Sequence, residues 1–305
     1  MTKSIHWFWL AVVAALLATP NATIIRVAVN DADPLYWTIS RFALIALVCL
    51  PFVLRAGKVL RKPAARRELA KASAALTVAM LSYVFAIYYS QASYVSIITL
   101  LTPILFVIFS TKLVGEKINS RAVAGITLAA FGAMVLVILP IALQHDGTAF
   151  YPVATMLALI NCVSYALTTV YLRKADEAGV TTPVAIGVSS GLIALIAMIL
   201  FVPFGDWTRT PMDGNYLAAV AYSALVVALL VRAFNVLAYE RLGSAVLSAL
   251  TYLQIFVAVL IPVFVLHEQL SPAMVIGGAL ILLGVYVVEA RKHPHIKHHL
   301  IHHNH

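Results

Sequence analysis

Ten apolar runs follow one another along the chain, at roughly 5–29, 34–54, 72–90, 93–113, 119–140, 151–172, 182–203, 215–238, 244–266 and 271–290. Each is bounded by charge, Pro or Gly, and each is long enough to cross about 30 Å of hydrocarbon as a helix. A lone strand cannot satisfy its backbone in lipid, and the alternation of a barrel is absent, so helix is the workable reading. Composition agrees: 62% of residues are hydrophobic and 11% charged, with a mean hydropathy of +0.96. Soluble domains carry about 25% charge. The spans use most of the 305 residues, which leaves no room for a separate soluble catalytic domain. The first run follows only Lys3 and His6 and has no small-residue cleavage site, so it reads as a membrane helix rather than a removed signal.

The net charge of +9 would suit nucleic acid in a soluble protein. Here it sorts by face. With the N-terminus inside, 17 of the 21 basic residues fall on the cytoplasmic side. They include Lys3, the linker from Arg55 to Lys71, Lys112, Lys117, Arg121, Arg173, Lys174, Arg241, Arg291, Lys292 and Lys297. Arg26 and Arg209 fall outside, and Arg41 and Arg232 lie within spans. This bias sets an N-in, C-in orientation. The 55–71 run reads as a solvated loop that fixes it, with room for anionic lipid headgroups. The expected partners are the lipid bilayer and a small-molecule substrate, with no nucleic acid, for a monomer or homodimer.

A shift of 152 residues superposes the two halves. Thr99 falls on Thr251, Leu101 on Leu253, Glu116 on Glu268, Gly125 on Gly277 and Gly132 on Gly284. Each half, 1–143 and 144–290, is then a five-helix unit, followed by a His-rich tail at 291–305. An odd number of spans inverts the second copy, a recurring transporter construction around a central site. The expected fold is all-α and polytopic: ten transmembrane helices as two inverted five-helix repeats.

The segment Thr102-Pro103, an apolar helix, Gly115-Glu116-Lys117, Gly125 and Gly132 recurs as His267-Glu268-Gln269, Pro272, Gly277 and Gly284. With Asp33-Pro34 and Arg41 in the second span, these residues resemble the drug/metabolite transporter superfamily, in its EamA-type ten-helix branch. The second half has Ile255 in place of Pro103 and His267 in place of Gly115. The resemblance implies a central cavity between helices 1–4 and 6–9, peripheral helices 5 and 10, and residence in the bacterial cytoplasmic membrane. It implies movement of small metabolites, often export of amino acids or related compounds, without ATP hydrolysis.

Ionisable groups at membrane depth are functional candidates because burying charge in lipid is costly. Arg41 either holds a substrate carboxylate, closes a gate against Asp31 or Asp33, or snorkels to the interface. Arg232 either lines the cavity, pairs with Glu240, or anchors at the interface. No Asp or Glu falls mid-span, which disfavours a carboxylate proton relay. Glu116 and Glu268 read as helix-start acceptors that position the turns before the last helix of each half. Asn161, Ser164, Tyr165 and Thr168 share one helical face. With Asn21, Trp37, Tyr83, Tyr222, Asn235, Tyr252 and Gln254 they are the expected substrate-binding residues, the alternative being interhelical bonds and aromatic belts. The Gly187/Gly191 pair and Gly125 with Gly132 read as close-packing positions.

Cys49 and Cys162 read as buried hydrophobes. The tail histidines carry no closing carboxylate or thiolate, so no metal or other cofactor is expected. No P-loop, His-Glu-x-x-His or Gly-x-Ser-x-Gly occurs, so no enzyme is expected. The reading is a secondary transporter using alternating access, the alternative being an intramembrane enzyme or lipid-handling protein.

Overall fold

The structure, a computed structural model, describes residues 2–114, 120–143, 151–234, 254 and 257–289. Among these there is no strand. Helices run over α1 (Thr2–Ala18), α2 (Asn21–Asp31), α3 (Pro34–Arg55), α4 (Gly57–Leu60), α5 (Pro63–Tyr88), α6 (Ala92–Thr99) and α7 (Thr102–Val114). They continue as α8 (Ser120–Leu143), α9 (Pro152–Glu177), α10 (Thr182–Phe204), α11 (Gly214–Ala221) and, near the C-terminus, α12 (Pro272–Glu289). A π-helical stretch, Tyr222–Val231, extends α11, and residues 257–265 are also helical.

Among the described residues, seven helical stretches are long and apolar enough to cross a membrane, and Val123–Leu136 and Pro272–Val287 are shorter apolar segments. Most of the expected ninth run, 244–266, lies outside the described residues, as do Glu116, Glu240 and the 291–305 tail. Leu54, Met156, Val202 and Phe204 stay exposed, as suits a protein whose surroundings are lipid.

Proline marks where these helices begin. It occupies the first turn of α3, α5, α9 and α10, where a missing N–H breaks no helical bond. At α3 the Asp33 carboxylate also accepts from the Leu35 and Tyr36 amides, at 2.7 and 3.2 Å. That is an N-cap.

Proline also breaks two expected single helices. Pro20 separates α1 from α2, and the Leu17 carbonyl there accepts from the Tyr222 hydroxyl at 2.8 Å. Pro103 cannot donate to the Thr99 carbonyl, and α6 ends there, three residues before α7 begins at Thr102.

The 55–71 stretch is helical rather than a loop. Good helix formers follow Pro63, Glu68 and Lys71 pair at 2.8 Å, and Ala65 and Leu69 pack with Val180 and Val184. The basic residues Arg66 and Arg67 stay exposed, so α5 starts nine residues before the expected 72.

Small residues let the helices approach. A Cβ at Gly187 would lie 2.8 Å from Cys49 Cβ, so α10 lies close against α3. The α8–α12 crossing is tighter. A Cβ at Gly132 would meet the Gly277 carbonyl at 2.8 Å, and one at Gly284 would meet the Gly125 carbonyl at 2.6 Å. His267, aligned with Gly115, has φ 55, a left-handed conformation that glycine adopts without strain.

Candidate functional site

A cavity of about 680 Å³ lies at mid-length of the helices, within the usual range for small-molecule sites. Its polar lining is Asn21, Arg41, Tyr83, Thr99, Thr102, Asn161, Tyr165, Thr169, Ser190, Arg232 and Gln254. Phe42, Ile45, Leu76, Met80, Pro103, Phe106 and Ile186 supply much of the apolar wall. No Asp or Glu lines it among the described residues. Arg41 and Asn161 are buried, whereas Tyr165, Thr169 and Arg232 are exposed. Those three mark the mouth.

Of the expected site residues, Asn21, Arg41, Tyr83, Asn161, Tyr165, Arg232 and Gln254 line this cavity. Trp37 does not: it is fully buried, with its indole edge-on to Tyr216 at 5.9 Å. Thr168 and Ser164 are also outside the lining, and the Thr168 hydroxyl donates to the Ser164 carbonyl at 2.8 Å. Tyr222 is occupied by its bond to Leu17. Asn235 and Tyr252 lie outside the described residues.

Thr99, Thr102, Ser190 and the aromatic residues Phe42 and Phe106 were not expected. The break before Pro103 is the signal that brings the first two in. The apolar ones carry none, because phenylalanine in a membrane helix reads as lipid-facing or core.

Several lining side chains are held by their neighbours. The Asn21 Oδ1 accepts from Ser223 at 2.9 Å, which leaves its amide nitrogen for the cavity. The Asn161 amide donates to the Ala79 carbonyl at 2.9 Å. Arg41 lies 5.3 Å from the Phe42 ring centroid, has Tyr83 and Tyr165 as electrostatic neighbours, and its buried Nε has no partner.

At the other end of the helices, where α2 meets α3, polar residues stitch the bundle together. Arg209 donates to the Val29 and Asn30 carbonyls at 2.8 and 2.6 Å and to the Tyr88 hydroxyl at 3.1 Å. The Asp33 amide donates to the Arg209 carbonyl, and the Asp33 carboxylate accepts from the Asp206 amide at 3.1 Å. Arg26 donates to the Ile87 and Tyr88 carbonyls at 3.0 and 2.9 Å. Glu268 accepts from the Ala92 and Ser93 amides at 2.8 and 2.9 Å, and from the Ser93 hydroxyl. Arginines thus sit at helix C-termini and a glutamate at an N-terminus, the arrangement that helix dipoles favour.

Two expectations are corrected by this network. The Asp33 carboxylate caps α3 and holds the 205–213 segment, so it forms no gate with Arg41. Glu268 does accept at a helix start, but that helix is α6, 176 residues away in the chain. The Thr208 hydroxyl and amide bind the exposed Asp206 carboxylate and hold it below the usual range.

A family model described as the EamA-like transporter family matches residues 5–138 and again 153–290. The chain belongs to the EamA-like transporter family. That membership places it among integral membrane proteins, consistent with the apolar helices. Two curated relatives come from Bacillus subtilis (strain 168). The uncharacterized transporter YvbV is 26% identical over 208 residues, 67% of this chain and 65% of the relative. The uncharacterized transporter YetK is 25% identical over 216 residues, 68% of this chain and 63% of the relative. The chain therefore matches a little under two thirds of each relative's length. A crystal structure of a protein 22% identical to this EamA-like chain superposes with a TM-score of 0.62, covering 93% of this chain and 98% of that one. It shares the fold.

Proposed function

We propose that the chain is a secondary carrier that exports a small polar metabolite, an amino acid or related compound, by alternating access. The reading takes the fold as ten helices in two inverted halves, 1–143 and 144–290, with both termini in the cytoplasm and the protein in the cytoplasmic membrane. The observation that carries it is a polar-lined cavity at mid-helix whose exposed lining lies at one side, while capped helix ends hold the bundle together at the other. In this orientation the cavity faces inward and the Asp33 end closes the outer side.

The α8–α12 crossing supports inversion. Gly132 faces Gly277 and Gly284 faces Gly125, and exchanging the halves turns one contact into the other. The family match in two separate stretches supports the same reading. Breaks at Pro20 and Pro103 give the cavity walls hinge positions that an unbroken helix lacks.

Purified protein in liposomes, loaded with labelled amino acids, nucleosides, amines or carboxylates, tests the proposal. The expected result is saturable flux of at least one class without ATP. Folded protein that moves none of these classes overturns it.

A further inference from the structure

Resting on the carrier reading, and narrowing its substrate to a related compound that lacks the ammonium of an amino acid, we infer that the cavity takes an organic anion, an oxyanion head on an apolar body, and that Arg41 is the residue that binds the head. Arg41 lies mid-helix in α3, is 7% exposed, and lines the cavity. A guanidinium removed from water needs a counter-charge or a full set of acceptors, because an unpaired buried ion costs several kcal/mol. None is supplied. Its Nε is unpartnered, and its ring contact is the Phe42 face. The nearest carboxylate along its own helix, Asp33, is occupied at the α3 N-terminus and by Asp206.

The remaining lining points the same way. Arg232 stands at the exposed side of the same cavity, so entry passes a second positive charge, which concentrates anions in a low-dielectric cleft. The amide of Asn21 and the phenol of Tyr83 offer further donors. No described Asp or Glu answers a substrate ammonium. Phe42 and Phe106 supply apolar wall for a carbon skeleton. A guanidinium fork matches carboxylate and phosphate oxygens equally in geometry, so either head satisfies the chemistry. An amine would pass one guanidinium and rest against another.

Four probes on one phenyl skeleton separate these classes: hydrocinnamate, phenyl phosphate, phenylalanine and phenethylamine. Equilibrium binding to the purified full chain is measured for each. The expected result is that hydrocinnamate or phenyl phosphate binds at least tenfold more tightly than phenylalanine, and phenethylamine does not compete. Whichever anion leads identifies the head as carboxylate or phosphate. Arg41→Gln is expected to lose at least tenfold in anion affinity, Arg41→Lys to recover part of it, and the exposed-site control Arg66→Gln to match the parent. Phenylalanine or phenethylamine binding as tightly as the anions overturns the proposal. So does failure of both anions to bind, or undiminished anion binding by Arg41→Gln with unchanged elution and melting. Should Arg41→Gln not fold, the probe ranking on the parent chain and the Arg41→Lys variant decide.

The same probes in liposomes keep the two readings apart. Flux of phenylalanine or phenethylamine without flux of either anion overturns the anion site and leaves the carrier. Retained anion binding with no flux of any probe overturns the carrier and leaves the anion site.

Discussion

Alanine at Gly284 tests the contact between the two halves at its tightest point. The added methyl carbon would lie 2.6 Å from Ala129 Cβ, the Ala129 nitrogen and the Gly125 carbonyl oxygen. Ordinary contact begins near 3.4 Å, so α8 and α12 must part by about 0.8 Å. Two of the three obstacles are backbone atoms, and no rotamer change relieves them. Overpacking of this kind costs about 1–3 kcal/mol. The helix-propensity gain of alanine over glycine returns about 0.5–1 kcal/mol, leaving a net loss of up to about 2.5 kcal/mol.

Gly191 supplies the control. It is also a mid-helix glycine, but its Cβ would find only Ala46 Cβ, at 4.0 Å. Gly191→Ala is therefore expected to be neutral or stabilising by up to about 1 kcal/mol. The assay is equilibrium unfolding in mixed micelles, where helix packing rather than water exclusion holds the bundle. Gly132→Ala should behave like Gly284→Ala, its Cβ meeting the Gly277 carbonyl and the Ile281 nitrogen at 2.8 Å. The double variant should cost less than the sum, because helices already parted admit the second methyl. A Gly284→Ala protein as stable as Gly191→Ala would refute the reasoning.

Glu268→Gln should destabilise the bundle by about 1–2 kcal/mol, because charge-assisted bonds to the α6 amides become neutral ones; hydrogen exchange should accelerate at Ala92 and Ser93 and be unchanged in mid-α10. His267→Gly should stabilise by up to about 1 kcal/mol, since the left-handed backbone at this position costs a side chain about that much; thermal melting of the two proteins side by side reads the sign. Asp206 titrates below the usual carboxylate range. Its contribution is therefore complete above the unfolded value and lost only as pH falls through the lower folded one. Thr208→Ala should raise its pKa, read by carboxyl carbon chemical shift against pH, and neither protein should show an Asp206-dependent change between about pH 5 and 8.

The fold was legible because lipid leaves few options. Ten runs of spanning length, bounded by Pro, Gly and charge, forecast the starts of α3, α9 and α10 within a residue. The start of α5 was missed because a basic, alanine-rich segment looks like a loop to a hydropathy reading. Its helix exists because Ala65 and Leu69 find apolar partners near Val180 and Val184. The broken helices were half legible: Pro20 and Pro103 mark them, but where a chain breaks depends on which neighbour takes up the freed carbonyl, as Tyr222 does for Leu17.

Polarity in a span is what sequence offers toward a site, and it selects two kinds of residue without distinguishing them. Arg41, Tyr83 and Tyr165 line the cavity, whereas Thr168 and Tyr222 satisfy nearby carbonyls. The Arg209, Asp33 and Asp206 network was invisible because Asp33 lies 173 residues from Asp206 in the chain, and only the packed bundle joins them.

In the proposed carrier, a cavity facing one side passes its contents to the other when the Asp33 end opens. Asn30→Cys with Arg209→Cys places two thiols across that end, while the native Cys49 and Cys162 are buried. Counterflow of labelled substrate into liposomes is measured before and after a short, thiol-cleavable cross-linker joins the pair. The expected result is that cross-linking drops counterflow to the background of empty liposomes and that cleavage restores it. Undiminished counterflow through the fully cross-linked protein would contradict alternating access at this end.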